Sequence, residues 1–294
     1  VNKIINFGSL NLDHVYRVPH FVQPGETLSS TEYRQFCGGK GGNQSIALAR
    51  AGAPVYHAGC VGPEGAVLTD NLSSSGVDIS LIRQLAVPSG HAIIQVDQAG
   101  ENSIILFPGA NHAITAEHIA AVIASCRPGD LMLLQNEING NAEIITAAAA
   151  AQMEVCLNFA PFDPAAADSL PLHLLRYLII NETEGAGLAG QAEPDAILNV
   201  LTQRFPATAV ILTLGGKGVL CGNGSERIRA AATPAKVVDT TSAGDTFTGY
   251  FLAARRLGKS LQRSLEEGCA AAAVTVSRPG AADSIPRREE LNLD

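Results

Sequence analysis

Apolar positions along the chain fall into two rhythms. Short, nearly continuous apolar runs occupy 3–8, 55–60, 131–135, 154–158, 177–180, 209–213 and 218–221, as expected of strands buried on both faces. Between them, apolar residues recur at i, i+3 and i+4 over 43–51, 65–75, 115–125, 140–151, 194–204, 245–257 and 260–277, the spacing of a helix with one buried face. The run of alanines at 147–151 fits a helix, because Ala is the best helix former. Alternating strands and helices predict a mainly parallel sheet covered on both faces. Two stretches, 14–36 and 91–107, look like short extra strands. In the second, Ile93, Ile94 and Val96 are separated from Ile104, Ile105 and Leu106 by Asp97-Gln98-Ala99-Gly100, a hairpin signal. A further strand-like run, Ala235 to Val238, precedes a tight turn.

Composition narrows the classes. The chain has 294 residues, 46% of them apolar, enough for a large core and read here as a single domain over 1–294. Its net charge of −8 argues against a nucleic-acid surface. No apolar run approaches the ~20 residues of a membrane span. A strand begins at Lys3, so no secretion signal is legible. Six scattered cysteines without a Cys-x-x-Cys pair read as reduced thiols, and a cytoplasmic location is expected.

The densest chemistry lies at Asp239-Thr240-Thr241-Ser242-Ala243-Gly244-Asp245-Thr246-Phe247. Small residues at a helix start leave backbone N–H groups uncovered, and such a terminus binds phosphate. An Asp there would repel the anion unless it also takes a proton from a neighbouring hydroxyl. Ser242 and Asp245 equally spell a capping box, which would be purely structural. A second glycine cluster, Cys37-Gly38-Gly39-Lys40-Gly41-Gly42-Asn43-Gln44, precedes another helix. It lacks the Walker A spacing, but its backbone can approach a ligand closely, and Lys40 and Asn43 offer donors. Its structural alternative is a flexible turn with a solvated Lys.

Together these segments resemble the ribokinase-type (phosphofructokinase-B) family of sugar and nucleoside kinases. The resemblance spans nearly the whole chain. It includes Asn6 to Asp13, Gly39 to Gln44, Gln135-x-Glu137, Phe107-Pro108-Gly109-Ala110-Asn111, Asn181-Glu182-Thr183-Glu184, Thr213 to Gly218 and Asp239 to Phe247. It implies a three-layer α/β/α fold with a small β-sheet lid made by 14–36 and 91–107, which in such proteins is often a homodimer contact. It implies ATP-dependent phosphorylation of a small sugar on its primary hydroxyl, with O5 of D-ribose as the expected acceptor.

The site residues follow from the same resemblance. Asp245 is the expected general base, with an anion hole at Ala243, Gly244 and Asp245. Asn11, Asp13, Gly39, Lys40, Asn43, Glu137 and Asp245 itself are expected on the sugar. Asn181 and Glu184 are expected near Mg²⁺ and phosphate, Glu184 through water. Thr213, Gly215, Gly218 and Cys269 are expected along the nucleotide, Cys269 standing where relatives often carry Asn or His. Asp239 and the Thr241 carbonyl, with Thr275, Arg278, Gly280 and Ser284, are expected around K⁺. Ser242 replaces a frequent Gly and is expected to keep φ below zero. Pro63 replaces a usual acidic residue in a shortened loop. A nucleoside or another sugar is the alternative substrate, and a non-catalytic sugar-binding or regulatory protein is the alternative of another class. A dinucleotide-dependent dehydrogenase is disfavoured, since no G-x-G-x-x-G follows the first strand.

Overall fold

Strand β1 (Ile4–Phe7) sets the plan of the molecule. Ile4 points into one apolar cluster, Ile5 and Phe7 into another, and each is fully buried. A strand sandwiched in this way needs helices on both faces. A computed structural model, which describes residues 2–291, shows them. Numbered along the chain, the central sheet also contains β4 (Val55–Val61), β5 (Asp78–Gln84), β8 (Leu131–Gln135), β9 (Glu154–Asn158) and β10 (Tyr177–Asn181). It is completed by β11 (Ala209–Thr213), β12 (Val219–Asn223) and β13 (Glu226–Ala230). The order is β13-β12-β11-β10-β9-β8-β1-β4-β5. All pairings are parallel except β11 with β12 and β12 with β13.

The sheet starts in its middle and grows both ways. Right-handed crossovers laid in opposite directions put their helices on opposite faces. Accordingly α1 (Lys40–Arg50) and α2 (Ala66–Ser74) pack on one side with α8 (Ala243–Arg256) and α9 (Leu261–Val276). On the other side lie α3 (Ala116–Ala124), α4 (Asn141–Ala150), α5 (Pro164–Ser169), α6 (Glu182–Ala189) and α7 (Pro194–Arg204). The direction of growth reverses between β1 and β8. In open α/β sheets the crevice beyond the strand ends at such a point is where ligands bind.

The stretches at 14–36 and 91–107 do form strands outside the main sheet. β2 (Asn11–Arg17), β3 (Glu32–Gly38), β6 (Gly90–Val96) and β7 (Asn102–Phe107) make a second sheet in the order β3-β2-β6-β7. β2 pairs with β6 in parallel and the other pairs are antiparallel. β2 begins at Asn11, so Asn11 and Asp13 lie on a strand and not in a turn after β1. Two residues apart, they share one face of it.

One expectation gives way, and β5, β13, α5 and α6 lie outside the apolar pattern. The run Ala235 to Val238 is not a strand: Val237 and Val238 are 64% and 55% exposed, and the Val238 N–H donates to the Val276 carbonyl at the end of α9 (2.8 Å). β5 and β13 escaped the apolar pattern because both are edge strands with one covered face, and β13 reads Glu-Arg-Ile-Arg-Ala. α5 and α6, six and eight residues long, are too short to establish a helical period.

The two helices that carry the glycine clusters are held together tightly. α8 is seated in the core by Phe247 and Phe251, whose rings stack on each other, and Phe251 also meets Tyr177 of β10 edge-on. Tyr250, fully buried, also donates its hydroxyl to the Pro286 carbonyl (2.8 Å). Where α8 crosses α1, a Cβ on Gly249 would lie 2.4 Å from Ala47 Cβ and 2.9 Å from the Ala47 carbonyl carbon. Only Gly permits that separation, and it brings the N-terminal turns of both helices to the same crevice.

Candidate active site

A cavity of about 700 Å³ opens beyond the ends of β1 and β8. Asn11, Asp13, Gly39, Lys40, Asn43 and Glu137 all line it. Asn11 is set by Asn111, whose Nδ2 donates to its Oδ1 (2.8 Å), while Asn111 Oδ1 accepts the Leu10 N–H (3.0 Å). Two glycines make the space: a Cβ on Gly38 would lie 2.0 Å from Asp13 Oδ2, and one on Gly90 2.1 Å from Asn111 Nδ2. Glu137 Oε2 accepts from the Lys40 N–H (2.9 Å) and the Ser9 hydroxyl (2.5 Å). Gly39, at φ +89°, turns the chain into α1 at Lys40.

The electrostatics of this cavity are one-sided. Lys40 is the one basic residue lining it among the described residues, against Asp13, Glu137, Glu182, Glu184 and Asp245. Burial, then the Glu137 charge, raises Asp13 to about 7. Burial also lifts Glu137, although Lys40 and Ser9 pull it down. The Asp245 carboxylate raises Lys40 above its usual value; burial opposes this, and Glu137 and Glu184 reinforce it. The ammonium therefore stays charged among the carboxylates.

Asp245 sits in the first turn of α8, 6% exposed. The capping box with Ser242 does not form: Ser242 makes no side-chain cap bond. Its φ is +60°, contrary to the expectation of a negative φ. A left-handed non-Gly residue costs roughly 1–2 kcal/mol, and its hydroxyl is buried without a partner. The turn after Thr241 requires this conformation, which explains why Gly suits the position. Released from the cap, Asp245 accepts from Asn43 Nδ2 at Oδ2 (3.1 Å) and from Gln44 Nε2 at Oδ1 (2.8 Å). Of the three expected anion-hole donors, the Ala243 N–H is engaged with the Thr240 carbonyl (3.3 Å). The Gly244 and Asp245 N–H groups have no acceptor among the described residues.

Asn181 and Glu184 form a complete capping box on α6. The Glu184 carboxylate takes the Asn181 N–H and Nδ2, both at 2.9 Å, and burial raises its pKa despite those donors and Lys40. Both residues line the cavity. A second cavity of about 560 Å³ adjoins the first. Thr213, Gly215, Thr240, Ala243 and Gly244 line both. Gly218 and Cys269 belong to the second alone, with Ala235, Val237, Phe247 and Val276. Of the two exposed valines in the 235–238 run, Val237 walls this cavity.

The residues expected around a monovalent cation fall into two groups. Asp239 accepts from the Thr241 N–H (2.9 Å), the Thr241 hydroxyl (2.7 Å) and the Gly280 N–H (3.1 Å). Burial opposes its charge, but these donors outweigh it and hold the carboxyl below its usual value. Elsewhere the side chains are committed: Thr275 donates to Thr246 (3.0 Å), Arg278 pairs with Glu290 (2.7 Å) and Ser284 donates to the Ala281 carbonyl (2.7 Å). Arg278, a cation itself, can offer an ion only its carbonyl, and the backbone carbonyls of that segment are the expected ligands.

Sequence reasoning assigned no role to Ser9, Asn111, Gln44, Gln135 or Asn158. Ser9, Gln44 and Asn111 each stand within two residues of a glycine. For Gln135 and Asn158 the available signal was a polar residue closing a buried apolar run. In the loop carrying Pro63, Glu64 accepts the Ser89 N–H (2.6 Å) and so tethers the entry to β6.

Known proteins resemble this chain over nearly its whole length. Residues 1–288 match the pfkB family of carbohydrate kinases. The chain is 36% identical to a ribokinase of Haemophilus influenzae, covering 96% of this chain and 95% of that protein. A ribokinase of Cryptococcus neoformans in complex with ADP superposes with a TM-score of 0.88 at 33% identity, covering 99% and 98% of the two chains. One of Arabidopsis thaliana complexed with ribose and ATP gives 0.87 at 30% identity, covering 98% and 97%. With two contiguous cavities meeting at a helix N-terminus that carries an acceptor carboxylate, this chain belongs to the pfkB family of carbohydrate kinases.

Proposed function

We propose that this protein transfers the γ-phosphoryl group of ATP to O5 of D-ribose, giving D-ribose 5-phosphate and ADP. The observation that carries the reading is the junction of the two cavities. The polar one presents Asn11, Asp13, Lys40, Asn43 and Glu137, enough donors and acceptors for the hydroxyls of one furanose. The apolar one suits a nucleotide base. They meet at Thr240, Ala243 and Gly244, beside Asp245.

In the proposed reaction Asp245 accepts the proton of the C5 hydroxyl as O5 attacks Pγ. The O5–P bond forms and the bond from Pγ to the β-phosphate oxygen breaks, ADP leaving with that electron pair. Catalysis is mostly positioning and charge stabilisation. The free N–H groups of Gly244 and Asp245 face the developing charge at the start of α8, and Lys40 adds a positive charge. A triphosphate entering a cavity lined by five carboxylates needs more compensation than one ammonium. Mg²⁺, when bound, supplies it; Glu184 would hold its water shell, which Mg²⁺ gives up reluctantly. Asp239, the Thr241 carbonyl and the carbonyls of the segment Thr275 to Ser284 would hold K⁺ beside the turn.

A nucleoside acceptor is the second reading, favoured by one observation: Ala92, Ile94, Ile104 and Leu106 give the small sheet an apolar face toward the cavity. The opposite face of that sheet exposes Tyr33, Ile105 and Phe107, at 50%, 65% and 47%. We assign it to a second copy of the chain, with the sheet acting as lid and dimer contact.

Replacing Asp245 with Asn keeps the size and removes the base. General-base catalysis contributes roughly 10²–10⁴-fold, so kcat is expected to fall at least that far with the sugar KM nearly unchanged. A variant keeping a tenth of the wild-type kcat would sink the assignment.

Asp13 gives a pH signature. Neutral below about 7, it accepts from hydroxyls fully only when ionised. Ribose affinity, measured by calorimetry, is therefore expected to tighten as pH rises from 6 to 8, and Asp13→Asn to be weak and flat across that range. A flat wild-type profile would remove Asp13 from the sugar.

Two solution measurements complete the set. At fixed Mg²⁺ and ionic strength, kcat is expected to be higher in K⁺ than in Na⁺; equal values would refute the cation site. Light scattering is expected to give a dimer that Ile105→Glu converts to monomer, and a monomeric wild type would contradict the lid contact.

A further inference from the structure

Behind Asp245 lies a buried chain of amide side chains that the proposed reaction does not use. Asn6, Gln44 and Gln135 are each fully buried, near the ends of β1 and β8 and at the start of the second turn of α1. A carboxamide can be turned either way, so its direction must be read from its partners. Two backbone carbonyls, which only accept, fix every amide here. Asn6 Nδ2 donates to the Gly41 carbonyl (2.7 Å), so Asn6 Oδ1 must accept. Gln135 Nε2 donates to that oxygen (2.9 Å) and to Gln44 Oε1 (2.7 Å). From the other side, Asn158 Nδ2 donates to the Ile179 carbonyl (3.3 Å), so its Oδ1 accepts from Gln44 Nε2 (2.9 Å). Gln44 is thereby held in one orientation. One hydrogen of its Nε2 goes to Asn158, and the other is left for Asp245 Oδ1 (2.8 Å).

We propose that Gln44 is a positioning residue for the reaction, fixing the rotation of the Asp245 carboxylate so that Oδ2 is presented to the acceptor hydroxyl. The inference rests on Asp245 being the base. Oδ2 meets Asn43, which lines the cavity and is also claimed by the sugar. Gln44 does not reach the cavity, so its bond to Oδ1 persists whether or not substrate is bound. Without it, Asp245 in the first turn of a helix could swing back to the backbone N–H groups as a cap. A base turned away by even an ångström forfeits much of its effect.

The test compares Gln44→Glu, Gln44→Met and Asp245→Asn by kcat, KM and pH profile, with ADP binding as a check on folding. Gln44→Glu places an acceptor against an acceptor. Its kcat is expected to fall roughly 10²-fold at pH 8 with both KM values within about threefold, since neither ligand touches position 44. Its kcat is expected to recover as pH drops toward 6, because the introduced carboxyl, once protonated, can again donate to Oδ1. A merely structural role would not produce that inverted profile. Gln44→Met, lacking any donor, is expected to lose activity about equally at every pH. Wild-type kcat in both variants beside an inactive Asp245→Asn would overturn the proposal and leave the base assignment standing. Activity in Asp245→Asn would instead overturn the base. If neither Gln44 variant binds ADP, Asn158→Ala, at the half-buried end of the chain, decides: because Asn158 also lines the cavity, a several-fold lower kcat with both KM values unchanged supports the proposal, and an unchanged kcat or a loss confined to KM overturns it.

Discussion

The contact on which the site depends is the pair of hydrogen bonds from Asn43 and Gln44 on α1 to Asp245 on α8. It joins residues about two hundred positions apart and exists because Gly249 lets the two helices cross with backbone almost touching side chain. Everything else is arranged around that crossing. The sheet reverses its direction of growth beneath it, so that the chain after β8 brings Glu137 to the crevice while Asn6, Ser9 and Gln135 are buried behind it. Ser242 takes a left-handed backbone there, which frees Asp245 from the helix cap. The strain at Ser242 and the orphaned hydroxyl are consistent with a turn shaped for a ligand and not for stability alone.

A second constraint is charge. Acidic groups are gathered in a partly closed cavity with one ammonium, and burial raises the pKa of Asp13, Glu137 and Glu184. Glu137, Glu184 and Asp245 already hold donors from the protein, whereas no donor among the described residues reaches Asp13 at hydrogen-bond distance. A desolvated acceptor left without a donor is costly, so a substrate lacking the matching hydroxyl is penalised there.

Much of this was legible in the sequence. Buried parallel strands announce themselves as continuous apolar runs, and the long helices by their period, so the central sheet and its covering could be read directly. Glycine clusters beside polar residues marked the crevice, and Asn11, Asp13, Lys40, Asn43, Glu137 and Asp245 do come together. What was hidden depends on three dimensions. The identical pattern S-x-x-D describes a cap or a freed carboxylate, and only the φ of Ser242 decides between them. Asn181 and Glu184 show the other outcome, a fully formed cap that also lines the cavity. Gln44 beside its glycines and Gln135 at the end of its apolar run were marked as positions but not as roles, because an amide's role is set by partners far away in sequence. Edge strands such as β13 are covered on one face, so their charged residues mask them. Val237 shows the reverse error, an apolar run that walls a cavity and belongs to no sheet.

The most direct measurement is of the product formed from ATP and a panel of D-ribose, other pentoses, hexoses and nucleosides, with the phosphorus position read by NMR. A single new phosphomonoester on C5 of D-ribose is expected, formed in step with ADP and at a higher kcat/KM than with any other acceptor. Preferential phosphorylation of a nucleoside, phosphate on another carbon, or ADP release without a phosphorylated sugar would contradict the proposed function.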